Sequence, residues 1–488
     1  MIARANFTEM PEEDLDEDDA VDDEMGGETR TRVDVDAAPN LLKFKWTDSG
    51  NAERLIAYAG TDLRYVPQWD KWLHWSDGKW DLDARGGCVQ RAAKAMGREF
   101  QRQAVGDAEA LKYGAKLESK KNRDAIVALS KHENSVITDH EAFDADPMLL
   151  NVKNGTVNLR TGELGPHRRE DLITKIAPVI YDEHGECPRF DRFLSEVMGS
   201  DAELVAFVIA FLGYCLTGET REHVLSFWHG KGGNGKSVLA ELLLRIMGSY
   251  AGKAAPDLLF RTERTDRHPA EIADLHGLRL VFCNETARGR AWDEARVKDM
   301  TGGDRIKARR MREDFWEFDP THKIIVFGNH KPTLRVIDEG MKRRLRLVPF
   351  AVSFVGRENR NLLSDLMTEA PGILRRLVGG CVAWHAHGLP SADAIKQSTE
   401  SYIADEDTLG QFFSEACTLH PDARTTRKRL RDAYVKWTEA GGEEKPIGAK
   451  AFAQAVRDLD GVTERQVREG DKAPTHGWAG IGVRDAKL

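Results

Sequence analysis

The sequence predicts an α/β protein with a parallel sheet built around a glycine loop. Three observations predict it. First, Gly230-Lys231-Gly232-Gly233-Asn234-Gly235-Lys236-Ser237 fits the pattern G-x-x-x-x-G-K-[ST] at every fixed position. Second, the β-prone run Val224-Leu225-Ser226-Phe227-Trp228 precedes the loop, and Val238, Leu239, Leu242, Leu243, Ile246 and Met247 follow it at helical spacing up to Gly248. Third, apolar runs at Leu278–Cys283 and Lys323–Phe327 alternate with helical stretches, the order of a parallel sheet with crossover helices.

The first segment, residues 1–40, carries 14 Asp/Glu against three Arg, a net of −11. The rest of the 488-residue chain holds 66 acidic and 68 basic side chains, so the overall charge of −9 describes one tail and not the body. Few apolar residues and high charge over 11–24 predict disorder. This tail reads as solubilising, or as a nucleic-acid mimic competing for a basic channel. Next come five tryptophans, Trp46, Trp69, Trp72, Trp75 and Trp80. Asp77-Gly78 predicts a hairpin among them, whose aromatics serve a core or stack on bases. Residues 85–135 read as helices bearing Lys116, Lys120, Lys121, Arg123 and Lys131, a solvated face or one that tracks DNA. Asn154-Gly155 marks another hairpin. From Asp201, Leu204, Val205, Val208, Ile209 and Leu212 form a helical core stripe that leads to the glycine loop. Residues 361–403 read as helical. At the far end, Thr426–Ala440 and Ala449–Leu459 read as helices. Val462–Val467, a Gly470-Asp471-Lys472 turn and Trp478–Val483 then read as a hairpin. Helices followed by a β-wing predict a winged helix, whose partner is DNA or protein. Arg424, Arg427, Lys428, Arg429 and Arg431 make its first helix basic.

No apolar run approaches a membrane span, and no basic segment leads into an apolar one at the N-terminus. The six cysteines include no C-x-x-C, which argues against a zinc knuckle and fits reduced thiols in a cytoplasm.

A strand, a glycine loop and a helix N-terminus make an anion site, where backbone N–H groups and the positive helix end face phosphates. The expected ligands are ATP and Mg2+. Residues 230–237 would form the nucleotide cradle, Lys236 would reach the β- and γ-phosphates, and the Ser237 hydroxyl would hold Mg2+. Glu285 follows an apolar strand and is the candidate to polarise the attacking water or to orient the metal. Asn329, at the tip of the next apolar strand, is a candidate γ-phosphate sensor. In the basic run after it, Arg344 with Arg343 beside it suits a transition-state arginine that acts on a neighbouring subunit. Between Glu285 and Asn329, Lys307, Arg309, Arg310 and Arg312 suit contacts to a DNA backbone.

Together these residues resemble a superfamily 3 helicase of the phage and plasmid primase-associated type, related to the poxvirus primase-helicases. Thr47-Asp-x-Gly50-Asn51-Ala52, Leu150-Asn151-x-x-Asn154-Gly155 and Gly213-Tyr214-x-Leu216-Thr217-Gly218 resemble the module ahead of its ATPase. Gly232–Ser237 resembles its Walker A loop. Arg279-Leu-Val with Glu285 resembles Walker B, Thr301-Gly-Gly-Asp304 with the arginines its basic hairpin, and Asn329 its sensor. The C-terminal Trp437 helix and Gly480-Ile481 resemble its terminal winged helix. The resemblance implies an AAA+-like P-loop ATPase core at 196–360. Before it lie the acidic tail (1–40) and an α+β N-terminal module (41–195); after it come a helical connector (361–404) and the winged helix (405–488). It implies a homo-hexameric ring that translocates on single-stranded DNA at a forked duplex during phage or plasmid replication, a separate primase as possible partner, and no membrane. The alternative is a DNA-binding regulatory or origin-recognition ATPase that does not unwind. Asn284 stands where many members carry a second acid, so the expected metal ligands are Ser237, Glu285 and water. Primase catalysis needs paired aspartates in a folded domain. Asp34-Val-Asp36, Asp81-Leu-Asp83 and Asp144-Ala-Asp146 lack visible partners, so the chain reads as a helicase without a primase.

Overall fold

A computed structural model describes residues 39–261, 270–285, 290–309, 315–334, 337–440, 446–468 and 473–484. The acidic tail up to residue 38, Arg310, Arg312 and the 470–472 turn lie outside the described residues.

The chain divides into two compact units where the sequence suggests one continuous module over 41–195. The first unit takes residues up to 59 and 92–130. It holds α1 (Asp48–Ala59), most of α2 (Gly87–Gln103), α3 (Ala108–Leu117) and α4 (Lys120–Ser130). Thr47 precedes α1, and its Oγ1 accepts from Gly50 N at 3.1 Å, a free amide of the first turn. Arg54 is fully buried and lies over the Phe100 ring at 4.7 Å. Its guanidinium donates to Leu41 O at 2.8 Å, to Phe44 O at 2.9 Å and to Asn51 Oδ1. A buried cation is tolerated when its donors are satisfied in this way. The Thr47–Asn51 motif is therefore a folding device of this unit.

The second unit holds residues 60–91 and everything from 131 onward. It opens with β1 (Leu63–Val66), β2 (Lys71–Ser76) and β3 (Lys79–Asp83), an antiparallel meander that turns at Asp77-Gly78 as expected. Trp72 and Trp80 are buried, so the aromatic hairpin is largely core. A second meander, β4 (Leu149–Val152), β5 (Gly155–Asn158) and β6 (Glu163–Gly165), is fixed by two asparagines. Asn151 donates to Gly78 O and Lys175 O, and Asn154 exchanges two hydrogen bonds with the Tyr181 backbone.

Next along the chain are α5 (Pro188–Val197), α6 (Ala202–Cys215), β7 (Leu225–His229), α7 (Lys236–Met247), β8 (Ala251–Ala254), the short α8 (Ala270–Ala273) and β9 (Leu280–Glu285). They are followed by α9 (Glu294–Thr301), β10 (Ile306–Ala308), β11 (Trp316–Phe318), β12 (Lys323–Gly328), α10 (Glu339–Arg344) and β13 (Leu345–Pro349). Five strands form one sheet in the order β13-β7-β12-β9-β8, with every neighbouring pair parallel. The central strands are near-continuous apolar runs because both faces are covered. One face packs on Leu239, Leu242 and Leu243 of α7 and on α6; the other on Trp292, Val297 and Met341.

Three helices follow: α11 (Leu362–Met367), α12 (Ala370–His387) and α13 (Asp393–Glu406). The sequence suggests a connector here, but these helices share the main core. Ile373, Leu374, Leu377 and Trp384 join it, as does every residue of α6 from Phe207 to Cys215 except Gly213. Glycines set the α6–α12 spacing. A Cβ on Gly213 would stand 2.3 Å from Cys381 N, and one on Gly380 would stand 2.5 Å from Ile209 O. At the far ends of β9 and β12, buried Arg279 donates to Leu216 O and Leu149 O, and buried Lys323 donates to Thr217 O.

The C-terminal part has α14 (Thr408–Ala416), β14 (Cys417–Thr426), α15 (Arg427–Ala440), α16 (Ala449–Arg457), β15 (Thr463–Val467) and β16 (Thr475–Val483). Its antiparallel sheet runs β14-β16-β15 over a core of Phe412, Leu430, Tyr434, Phe452, Trp478 and Ile481. The expected two helices and hairpin are present. α14 and β14 precede them, so the basic helix is the second of three. Two of its arginines serve the fold: Arg427 pairs with Glu464, and Arg431 donates to Ile447 O.

Candidate functional site

The parallel register sets three strand ends in one row. Gly328 of β12 lies opposite His229 of β7 on one side and Glu285 of β9 on the other. Each strand then gives way to a segment singled out in the sequence: the glycine loop after β7, Glu285 itself closing β9, and Asn329 after β12. Adjacent strands sit about 4.8 Å apart, so all three ends fall within one ligand's reach. They lie at the carboxyl edge of the sheet, where α/β proteins place ligands.

A cavity of about 360 Å³ opens there. Gly232, Gly233, Asn234, Lys236 and Ser237 line it from the loop, Asn284 from β9, and Asn329 and His330 from beyond β12. α7 begins at Lys236, so its unpaired N–H groups and positive end face this space. Gly235, the residue before it, has φ of 84° and packs against Val197. Behind the loop, the segment after β13 acts as a strap. Asn234 Nδ2 donates to Phe350 O at 3.0 Å, and Phe354 N donates to Gly233 O at 2.7 Å.

Lys236 is buried, and its ammonium donates to Gly230 O at 2.7 Å and Asn234 Oδ1 at 2.9 Å. Burial pulls its pKa down to about 8. Neutral acceptors hold its charge, and it stands ready to exchange them for an anion. His229, at the root of the loop, is driven down to about 4 by burial and by the Lys331 and Lys236 charges. It is therefore neutral, and its Nε2 lies 2.8 Å from Ser398 Oγ of α13.

Ser237 and Asn284 are exposed and line the same cavity. Among the described residues no group of three His, Cys, Asp or Glu is placed to hold a metal. A hydroxyl and an amide oxygen suit a hard cation that keeps waters and phosphate oxygens as its other ligands.

The remaining expected residues fall into two groups. Arg344 is buried; its Nε donates to Thr301 Oγ1 at 3.0 Å and Nη1 to Gly340 O at 2.9 Å. Arg343, at the same helix end, is exposed. Lys307 and Arg309 lie on an antiparallel hairpin of β10 and β11, inserted between β9 and β12. Sequence reasoning missed His229, Ser398 and the Phe350–Phe354 strap. A lone His and an irregular stretch carry no periodic signal.

Comparison with known proteins adds the following. Residues 52–199 match the family described as D5 N terminal like, and residues 228–344 match a family of unknown function, DUF5906. A candidate helicase of Acanthamoeba polyphaga mimivirus is 29% identical over 219 residues, 44% of this chain and 23% of that protein. A candidate helicase of Frog virus 3 is 22% identical over 431 residues, 70% of this chain and 43% of that protein. A candidate primase of African swine fever virus is 24% identical over 325 residues, 61% and 34% respectively. The chain thus spans less than half the length of these curated relatives. Among solved structures, the NrS-1 C-terminal region superposes with a TM-score of 0.49 at 14% identity, over 86% of this chain and 96% of that one. Among the described residues no single helix is long and apolar enough to cross a membrane. The N-terminal match and the viral relatives are together consistent with a primase-helicase-like, D5-type family.

Proposed function

We propose that the chain is an ATP-dependent DNA helicase that works as a homo-hexameric ring on single-stranded and forked DNA, in phage or plasmid replication with a separate primase. The observation that carries this reading is the row of three strand ends around one cavity, with a basic hairpin inserted between two of those strands. Residues 230–237 form a P-loop for ATP on an AAA+-like core. Lys236 leaves Gly230 O and Asn234 Oδ1 for the β- and γ-phosphates. Ser237 and Glu285 would hold Mg2+, which would supply positive charge to offset that of the phosphates. Glu285 and Asn329 position the attacking water. Catalysis then rests on orientation and charge, as phosphoryl transfer requires. Arg343, exposed beyond the sheet, is better placed than buried Arg344 to reach a neighbouring subunit's nucleotide. The hairpin leads into the start of β12, the strand whose other end borders the cavity, so a shift of β12 on hydrolysis moves Lys307 and Arg309 against the DNA backbone. The three helices and three strands of 408–484 form a winged helix.

A forked-duplex strand-displacement assay with ATP tests the proposal. Wild type separates the strands, and Lys236→Ala abolishes both hydrolysis and separation. ATP hydrolysis without strand separation would instead establish the regulatory ATPase reading.

A further inference from the structure

We infer that Phe315 is a base-stacking platform for single-stranded nucleic acid, flanked by Lys307 and Arg309 as phosphate contacts. This inference rests on the DNA-binding reading of the hairpin and extends it from charge to stacking.

The hairpin has two unlike faces, as strand alternation dictates. Ile306, Ala308 and Phe318 are buried and Trp316 is half-buried, all facing the protein. His276 meets Trp316 and Phe318 edge-on at 4.9 and 5.3 Å. At the base, Arg305 pairs with Asp319 at 3.6 Å and with Glu141 at 3.2 Å. This inner face makes the hairpin a rigid mount.

The outer face carries Lys307, Arg309, Phe315 and Glu317, all exposed. Phe315 is 53% exposed and stands one residue past the paired strands, on the same face as the two cations. It is also well matched to its neighbours. Lys307 Nζ lies 5.1 Å and Arg309 Cζ 4.9 Å from its ring centroid. Lys307 stands directly opposite Glu317 in the register, yet its ammonium lies diagonally over Phe315. Cations near a ring keep it oriented, and they lie one short reach from the phosphates either side of a stacked base. An aromatic among cations is the chemistry that holds single strands without regard to sequence, because every base has a π face. A duplex, whose bases are already stacked, offers no partner for it.

Fluorescence anisotropy with a labelled oligo(dT) and a duplex of equal length, in the presence of a non-hydrolysable ATP analogue, tests the assignment. Phe315→Ala weakens oligo(dT) binding on the order of tenfold or more, the loss that removing one stacked base produces. Phe315→Trp retains binding, and Phe315→Leu, apolar but not aromatic, does not. Duplex affinity is unchanged in all three. The salt dependence separates the roles: Phe315→Ala keeps the wild-type slope of log K against log salt, whereas Lys307→Ala and Arg309→Ala each lower it by about 0.7, one single-strand phosphate contact. Equal oligo(dT) affinity for wild type and Phe315→Ala overturns the stacking role and leaves the helicase proposal standing. A wild type that binds no single strand at all overturns the helicase proposal as well.

Discussion

Raising the pH should loosen nucleotide binding through Lys236, and the amount follows from its surroundings. Burial lowers its pKa to about 8, and among the described residues no carboxylate restores the charge. A phosphate arriving at the loop would supply that charge, so the bound lysine stays protonated and binding takes up a proton wherever the free lysine lacks one. At pH 7.5 about three quarters of the free protein carries the ammonium; at pH 9 about one molecule in eleven does. Affinity for ADP should therefore fall about eightfold across this interval, on the order of 1.2 kcal/mol. The nucleotide's own terminal phosphate, with a pKa of about 6, has finished titrating below it. Isothermal titration calorimetry in buffers of different ionisation enthalpy should register uptake of about 0.75 proton per nucleotide at pH 8.5. Lys236→Arg, charged throughout, should bind with no such slope. Without nucleotide the linkage runs the other way. The unfolded lysine keeps its proton to about 10.5 while the folded one releases it near 8, so Lys236 favours folding increasingly as pH rises through that window. Affinity that stays flat from pH 7.5 to 9 with no proton uptake would refute this account of the lysine.

Four further outcomes are expected. Gly235→Ala places a Cβ at a φ of 84° and 2.7 Å from Val197 Cγ1; it should destabilise the fold by about 2 kcal/mol or more, and an unchanged urea midpoint would contradict that. Arg344→Ala should cost about 2–3 kcal/mol of stability by deleting the bonds to Thr301 and Gly340. Arg343→Ala should leave the melting curve alone yet stop ATP turnover, and mixing with Lys236→Ala subunits should restore part of it; turnover unaffected by Arg343→Ala would remove it as a finger. Asn284→Asp adds a carboxylate to the cavity wall and should lower the Mg2+ concentration for half-maximal hydrolysis several-fold. An unchanged metal requirement would mean that position 284 does not face the ion.

The parts of this molecule legible in the sequence are those that local rules dictate. Glycines at fixed offsets, an apolar run before them and a helical stripe after them fix β7, the loop and α7. Asp77-Gly78 and Asn154-Gly155 fix two hairpins for the same reason. Strand order is not local. That Glu285 and His229 flank Gly328 depends on pairings across about a hundred residues of chain. β14 escaped notice because Pro421 and charged neighbours interrupt it, and the strand accommodates them with a break in register between Leu419 and Arg424. β8, Ala-Gly-Lys-Ala, has no β-branched residue and is a strand only because β9 pairs with it. The burial of Arg344 and exposure of Arg343 were equally invisible, since adjacent residues in a basic run differ only in which way a helix end turns them.

The crossing of α6 and α12 has a consequence for any mutational survey of this protein. Gly213 and Gly380 touch the opposite backbone, so nothing larger than hydrogen fits at either position. A screen that scores activity alone will rank both among the most sensitive positions, level with the loop glycines, although neither lines the cavity. Scoring abundance alongside activity would separate the two classes. Substitutions at the seam should remove the protein, whereas Lys236→Ala should leave abundant protein that cannot turn over nucleotide.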